Sequence, residues 1–326
     1  MFIEACLNLA WSHWVGLGVR GTAPPPDTAV DPEALLYFTA CIAPYDPRLR
    51  DEVGDWWKQF HRYISRPRLT ALGGKFDESV VLKFRDLETS FDALKITSGK
   101  SRLDRLDIPA RTLLRFRCAF GASARAEILF ELLTRRSQAP EGMTALALSE
   151  IGYSKRNVAF VLDDLVLAGI LASTKEGNRR RFRVADPGAL ESFLRPLPAG
   201  SGRWHMRLPV IASFVELSKR LRGRDALVQG IEARKLLTQM MPRIQVTGAS
   251  GAMPTATAET YWDELQPWLI DSLIADDSDT RHRIPRMLEG VWIGPNESAK
   301  IRRPERFTSA VLPNMSADPT SDSELR

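Results

Sequence analysis

Over residues 124–184 the spacing of apolar residues changes from that of helices to that of strands. Few folds contain these elements in this order. The expected elements, in order, are a helix over 124–134, a short helix ending at 151, a longer helix over 155–168, a strand over 170–174 and a strand over 180–184. A tip at Gly177-Asn178 joins the two strands, because this pair favours a tight hairpin turn. The stretch therefore predicts a small domain in which three helices precede a β-hairpin.

The longer helix has one apolar side and one polar side. Its apolar positions, spaced so that they form one stripe, are Val158, Val161, Leu162 and Leu165. The other side, preceded by the N-capping Ser154, presents Lys155, Arg156, Asn157 and Phe160. Arginine can bond guanine and asparagine can bond adenine, and the positive end of a helix favours nearby phosphate. We therefore predict that Ser154 and these four residues contact DNA, although Asp163 and Asp164 lie further along and would repel a backbone or face solvent.

The expected hairpin is strongly basic. Its candidate phosphate-binding residues are Lys175, Asn178, Arg179, Arg180, Arg181 and Arg183. Phe182 and Val184 alternate with Arg181 and Arg183, so one face of the return strand should pack while the other carries guanidinium groups. A basic hairpin beside a DNA-contacting helix can follow phosphates or enter a narrow minor groove.

The run that starts at Ser154 and continues through Val158, Leu162 and Leu165 to Ala168-Gly169-Ile170-Leu171 resembles a known family. It is similar to the recognition helix and wing entry of bacterial winged helix-turn-helix transcriptional regulators of the ArsR/MarR type. The resemblance covers about residues 121–186, a fifth of the chain. It implies a module of three helices plus a β-hairpin wing that binds double-stranded DNA, commonly as a homodimer on a palindromic site. It does not carry over the metal sites of some such regulators, because no Cys or His lies on these helices.

The basic charge of the chain is concentrated rather than spread. Residues 154–224 contain 14 Lys and Arg against 6 Asp and Glu, a net charge of +8, whereas the whole chain of 326 residues carries only +5. A local basic zone on a nearly balanced protein indicates a surface that faces a polyanion, although a solvated charged face would look the same.

The flanking regions predict further helices, so the expected fold is mainly α, with the winged helix between α-helical domains. Asp31-Pro32 and Asp46-Pro47 each place a capping carboxylate before a proline at the first position of a helix. The expected organisation is an N-terminal helical domain over 1–96, a connecting segment over 97–120, the DNA-binding domain over 121–195, a C-terminal helical region over 203–294 and a disordered tail over 295–326.

Cysteine usage and the N-terminus indicate a cytoplasmic protein. Cys6, Cys41 and Cys118 are far apart, which excludes a disulfide scaffold and a zinc-finger spacing. The first residues lack the basic region of a signal peptide, and the weakly polar run over 5–19 is short and interrupted for a membrane span. We therefore expect no membrane association.

Other sequence signals give no reason to expect an enzyme, a metal or a cofactor. Residues 16–21 spell G-x-G-x-x-G, but they follow an expected helix and run into the prolines at 24–26, where a dinucleotide site needs a second helix. The acidic run at 276–279 lacks the glycine and glutamate of a calcium loop. The histidines are scattered without partners at ligand spacing and are His13, His61, His205 and His282.

Two other uses of the same module stay open at this stage. Winged helices also serve as protein-docking modules, and the apolar stripe would look the same in an antitoxin or a defence-associated subunit. RNA binding is a further alternative. Basic residues on both expected contact elements favour DNA over these two.

Overall fold

The computed structural model describes residues 1–93, 99–198, 200–249 and 251–275. The first helices are α1 (Phe2–Gly16), α2 (Pro32–Ile42), α3 (Pro47–Phe60), α4 (Arg66–Gly73), α5 (Glu78–Ala93) and α6 (Thr112–Phe120). The next elements are α7 (Ala124–Thr134), β1 (Met143–Thr144), α8 (Ala145–Ser149), α9 (Lys155–Leu167), β2 (Leu171–Glu176) and β3 (Arg179–Val184). The last helices are α10 (Pro187–Leu194), α11 (Trp204–Leu221), α12 (Ala226–Thr247) and α13 (Tyr261–Leu269), which a π-helical turn continues over Ile270–Ile274. The fold is therefore mainly helical, with one small antiparallel sheet.

Two of the helix starts follow the capping chemistry predicted from the sequence. The Asp31 carboxylate accepts a hydrogen bond from the Ala34 amide at 3.1 Å, and Asp46 accepts one from the Arg48 amide at 3.0 Å. In each case proline occupies the first helical position, where its missing N–H costs nothing. Both predicted starts are confirmed.

The helices on the two sides of the expected module share a single apolar core. It joins α1–α5 to α11–α13, and we call these eight helices the helical body. Every residue of α2 is buried, and this helix packs against both α5 and α11. Trp14 and Trp56 stack edge to face at 5.2 Å, and each indole N–H has a buried acceptor, Thr39 Oγ1 and the Leu17 carbonyl. Both tryptophans are therefore core residues whose polar atoms are satisfied.

A second apolar cluster lies around α7–α9 and the sheet. We call Ala124–Val184 the central module. Its three strands lie in the order β1-β3-β2, all antiparallel, with Met143 opposite Phe182 and Ser173 also opposite Phe182. The predicted helix over 124–134 is confirmed, and the predicted helix and strands that follow it are found within about two residues of their expected bounds. The strand β1 was not predicted, because two residues are too short to show a pattern.

Elsewhere the helices depart from the sequence pattern in three places. The sequence shows no sign of α4 or α6, and Pro242 would ordinarily end α12 at the residue before it. Instead α12 continues through Pro242 to Thr247, where Ile244 is 2% exposed and the Val246 carbonyl accepts a hydrogen bond from Arg203 at 2.5 Å. Burial of the last turn offsets the hydrogen bond that proline removes.

The glycines of the G-x-G-x-x-G run have a packing role. Gly18 has φ +98°, a conformation that side chains rarely adopt, and its carbonyl accepts a hydrogen bond from the Arg102 amide at 2.8 Å. A Cβ on Gly18 would lie 2.1 Å from the Arg102 carbonyl oxygen. The requirement for glycine here therefore comes from the close approach of two backbone segments.

Several sequence expectations concern residues outside the described ranges. These are the acidic run at 276–279, His282 and the disordered tail over 295–326. Within the described ranges, no helix combines the length and the apolar character that crossing a membrane requires.

Candidate nucleic-acid interface

The helix α9 is fixed in the central module by its cap and by its apolar stripe. Ser154 Oγ accepts a hydrogen bond from the Asn157 amide at 3.2 Å, so this residue caps the helix as predicted. Val158 and Leu162 are fully buried and Leu165 is 2% exposed. The stripe packs against α7 and α8, and the helix continues into β2 through Gly169, which has φ +72°.

The first turn of α9 is exposed on its other side. Ser154, Lys155, Arg156 and Asn157 are all exposed, and Phe160 is 61% exposed. The Arg156 guanidinium carbon lies 5.6 Å from the centroid of the Phe160 ring, so the two side chains stack. We call Arg156, Phe160, Asp163, Asp164 and Leu167, which share this side, the outer face of α9. The structure thus brings the predicted residues of this helix together on one exposed surface.

The two acidic residues of the outer face are paired rather than free. Asp163 Oδ1 accepts from Arg180 of β3 at 2.5 Å, and Asp164 Oδ2 lies 3.8 Å from Arg125 Nη2 at the start of α7. Their charges are therefore partly neutralised by neighbours within the module. The sequence alone could not show this, because each partner is distant along the chain.

The hairpin of β2 and β3 divides its residues between two faces, as the alternation predicts. Phe182 and Val184 are 4% and 5% exposed, whereas Arg179 and Arg183 are exposed on the opposite face. Lys175 and Asn178 are exposed near the tip, where Gly177 has φ +58°. The tip therefore presents cationic and amide groups to solvent.

Two of the predicted wing arginines are engaged within the module. Arg180 stacks on Phe182 at 4.8 Å in addition to its ion pair with Asp163. Arg181 is a quarter exposed and lies 3.0 Å from a Glu176 oxygen and 3.3 Å from a Glu141 oxygen. Lys175, Arg179 and Arg183 are therefore better placed than these two to take a new anionic partner.

A buried ion network lies beneath the module and connects it to the helical body. Arg117 of α6 donates to Glu127 of α7 at 2.9 Å and to Glu33 of α2 at 2.8 Å. Arg68 of α4 donates to Asp31 at 2.8 Å and to Glu33 at 2.6 Å. We call these five residues, each at most 5% exposed, the buried ion network. It fixes the position of α7, on which α9 packs.

Two further contacts join the network to the segment that precedes α9. Arg68 Nε donates to the Ile151 carbonyl at 2.7 Å, and the hydroxyls of Tyr153 and Ser65 lie 2.7 Å apart. Burial raises the pKa of the Tyr153 phenol above its ordinary value, so this group stays protonated. The turn that leads into α9 is thereby attached to α4 of the helical body. No spacing rule in the sequence links these residues.

Burial and charge set the ionisation of residues in the buried ion network and of His205 beside it. Burial alone would raise the pKa of the Asp31 carboxyl, but the charge and hydrogen bonds of Arg68 hold it below its usual range. Burial raises the pKa of the Glu127 carboxyl, against the opposing charge of Arg117. Burial lowers the pKa of His205 to about 3, although Asp31 lies nearby, so this histidine is neutral at pH 7.

Among the residues that the structure describes, no group of three or more His, Cys, Asp or Glu side chains is arranged to hold a metal ion. Comparisons with protein-family models, with curated proteins and with solved structures found no match to this chain.

Proposed function

We propose that residues 121–186 are a winged helix-turn-helix module that binds double-stranded DNA, and that the protein is a cytoplasmic transcriptional regulator. The element order α7, β1, α8, α9, β2, β3 and the strand order β1-β3-β2 support this assignment. In it α9 is the recognition helix and the hairpin of β2 and β3 is the wing. By resemblance to such regulators, the protein binds a palindromic site as a homodimer.

The exposed first turn of α9 carries the proposal. Lys155, Arg156 and Asn157 face solvent while the apolar stripe of the same helix is buried. A helix in the major groove contacts base edges with its N-terminal residues, and its positive end favours phosphate. In this account Arg156 and Asn157 contact bases, Lys155 contacts the backbone, and Ser154 holds the turn in shape.

The wing supplies contacts that do not depend on sequence. Lys175 and Arg179 are exposed near the hairpin tip, and Arg183 is exposed further along β3, opposite Ala172. Their positive charges can pair with phosphates on either side of the groove that α9 enters. The protein would regulate by occupancy, with α9 selecting the site and the wing stabilising the complex.

The test replaces Arg156 or Asn157 with Ala. Each change should cost about 1–3 kcal/mol of binding free energy on a site selected from random duplexes, because the shortened side chain no longer reaches its base. Binding to unrelated duplexes should change less. Arg50→Ala, in an exposed ion pair on α3, serves as the control and should leave DNA affinity unchanged. A double variant with wild-type affinity for all duplexes would exclude α9 as the recognition helix.

A second candidate function, protein docking, rests on a separate observation. Leu146 on α8 and Phe160 and Leu167 on α9 are 63%, 61% and 89% exposed. Exposed large apolar side chains on neighbouring helices are typical of docking surfaces. Leu167→Ser separates the two functions, because Leu167 lies at the end of α9 away from the first turn. Leu167→Ser should leave DNA binding intact. If this variant also loses a stable protein partner that the wild type retains, docking is favoured.

A further inference from the structure

The stacked pair of Arg156 and Phe160 shows how α9 could select bases. The two residues are one helical turn apart, and no ion pair within the described residues engages the Arg156 guanidinium. The ring limits the positions of the guanidinium, and Arg156 is itself exposed. Phe160, at 61% exposure, keeps much of its own surface open.

Each member of the pair has a matching base edge in the major groove. A guanidinium donates two hydrogen bonds to N7 and O6 of guanine. An apolar ring contacts the C5-methyl group of thymine. The guanidinium carbon and the ring centroid are 5.6 Å apart, which fits two neighbouring base pairs stacked about 3.4 Å apart and offset by helical twist.

The other groups of the outer face are less suited to contact bases. Arg156 and Phe160 are therefore the part of this face that would contact them. A carboxylate could accept a hydrogen bond from cytosine. However, Asp163 is paired with Arg180 and Asp164 with Arg125, so both carboxylates are already engaged. Leu167 is almost two turns further along the helix, towards its C-terminus.

We infer that Arg156 and Phe160 together select a base-pair step in which a thymine adjoins a guanine. This inference rests on the proposed function, since it requires α9 to lie in the major groove. It goes further by naming the step and the residue responsible for each base.

Base analogues test the inference with the full-length protein. A site is first selected from random duplexes with the wild type and is expected to contain a T-G neighbour pair. Deoxyuridine in place of that thymine removes only the methyl group and should weaken wild-type binding about fourfold. 7-Deazaguanine removes one acceptor and should weaken it at least about fivefold.

Variants assign each loss to its residue. Phe160→Ala should bind the thymine and uracil duplexes equally, and Arg156→Ala should lose its sensitivity to 7-deazaguanine. Leu167→Ala, another exposed residue of α9, should respond to both analogues as the wild type does. Urea unfolding of each variant confirms that the fold is intact.

The outcomes separate the inference from the proposed function. A selected motif with no thymine next to guanine, or wild-type binding that neither analogue changes, would overturn the inference while the DNA-binding function stands. Absence of binding to any duplex would overturn the proposed function and the inference with it. Loss of analogue sensitivity in Leu167→Ala would also overturn the assignment of the step to Arg156 and Phe160.

Discussion

At the scale of single residues, the main feature is charge kept inside the protein. Arg117 and Glu33 are fully buried, and each is matched by an opposite charge and by hydrogen bonds. A buried charge is tolerated only when its partners replace the water that it has lost. The position of the central module therefore depends on side chains outside the surface that we propose to contact DNA.

We predict that Arg117→Ala destabilises the protein strongly. The change removes the positive charge of Arg117 from beside the buried carboxylates of Glu33 and Glu127. This should cost about 3–5 kcal/mol of unfolding free energy. Urea unfolding measures this value. Arg50→Ala breaks an exposed pair and should cost under about 1 kcal/mol. Equal stabilities for the two variants would mean that the buried ion network contributes no more than a surface pair.

Two buried histidines predict a pH dependence of stability. Burial lowers the pKa of both His13 and His205 to about 3, from an ordinary value of 6.5. The unfolded chain thus binds protons below pH 6.5 that the folded protein does not, so stability is fully present above pH 6.5 and falls as pH approaches 3. Each histidine should cost about 2 kcal/mol between pH 7.5 and pH 5.

The histidine effect is measured as a difference between variants. Glu127 has a raised pKa and acts in the opposite sense over this range, while the depressed pKa of Asp31 matters only at lower pH. The groups facing His205 are Asp31, Lys75, Arg68 and Arg203. His205→Gln should lose less stability than the wild type between pH 7.5 and pH 5, by about 2 kcal/mol. Parallel stability curves would contradict a buried neutral histidine.

At the scale of elements, the contact between β3 and α9 limits the positive charge that the central module leaves unpaired. Asp163 holds Arg180 against the helix, beside the surface that would meet phosphate. Releasing Arg180 should therefore add a cation to the interface and remove an anion from it.

We predict that Asp163→Asn strengthens binding to all duplexes at low salt. The slope of the logarithm of affinity against the logarithm of salt concentration should steepen by about 0.9, the value for one added phosphate contact. Asp51→Asn, which removes an exposed carboxylate on α3, should leave the slope unchanged. An identical slope for Asp163→Asn and the wild type would show that Arg180 lies away from the backbone.

The same elements show what the sequence could predict. The stripe on α9, the cap at Ser154 and the alternation in β3 are local patterns, and the structure confirms them. The ion pairs of Asp163 and Asp164 join residues 17 and 39 positions apart, so no local pattern contains them. The course of α12 through Pro242 depends on tertiary burial, which overrides the local preference of proline.

At the scale of the whole chain, α1–α5 and α11–α13, which lie on either side of the module in the sequence, form one body. Cys41 on α2 contacts the Ala212 carbonyl on α11, although the two residues are 171 positions apart. The sequence predicted both groups of helices but not that they share a core, since helical periodicity shows which face is buried and not what covers it. The central module is thus attached to a large helical body through α6, α7 and the buried ion network.

The central claim, that the module binds double-stranded DNA, is tested most directly by a salt series on the wild type and a wing variant. Affinity for a duplex is measured at several salt concentrations for the wild type and for the triple variant Lys175→Ala, Arg179→Ala and Arg183→Ala. The wild type should bind duplex DNA with a steep negative slope. The variant should bind more weakly with a slope shallower by up to about 2.7, which is about 0.9 for each phosphate that its shortened side chains no longer reach. No binding by the wild type at low salt, or equal slopes for the two proteins, would contradict the account.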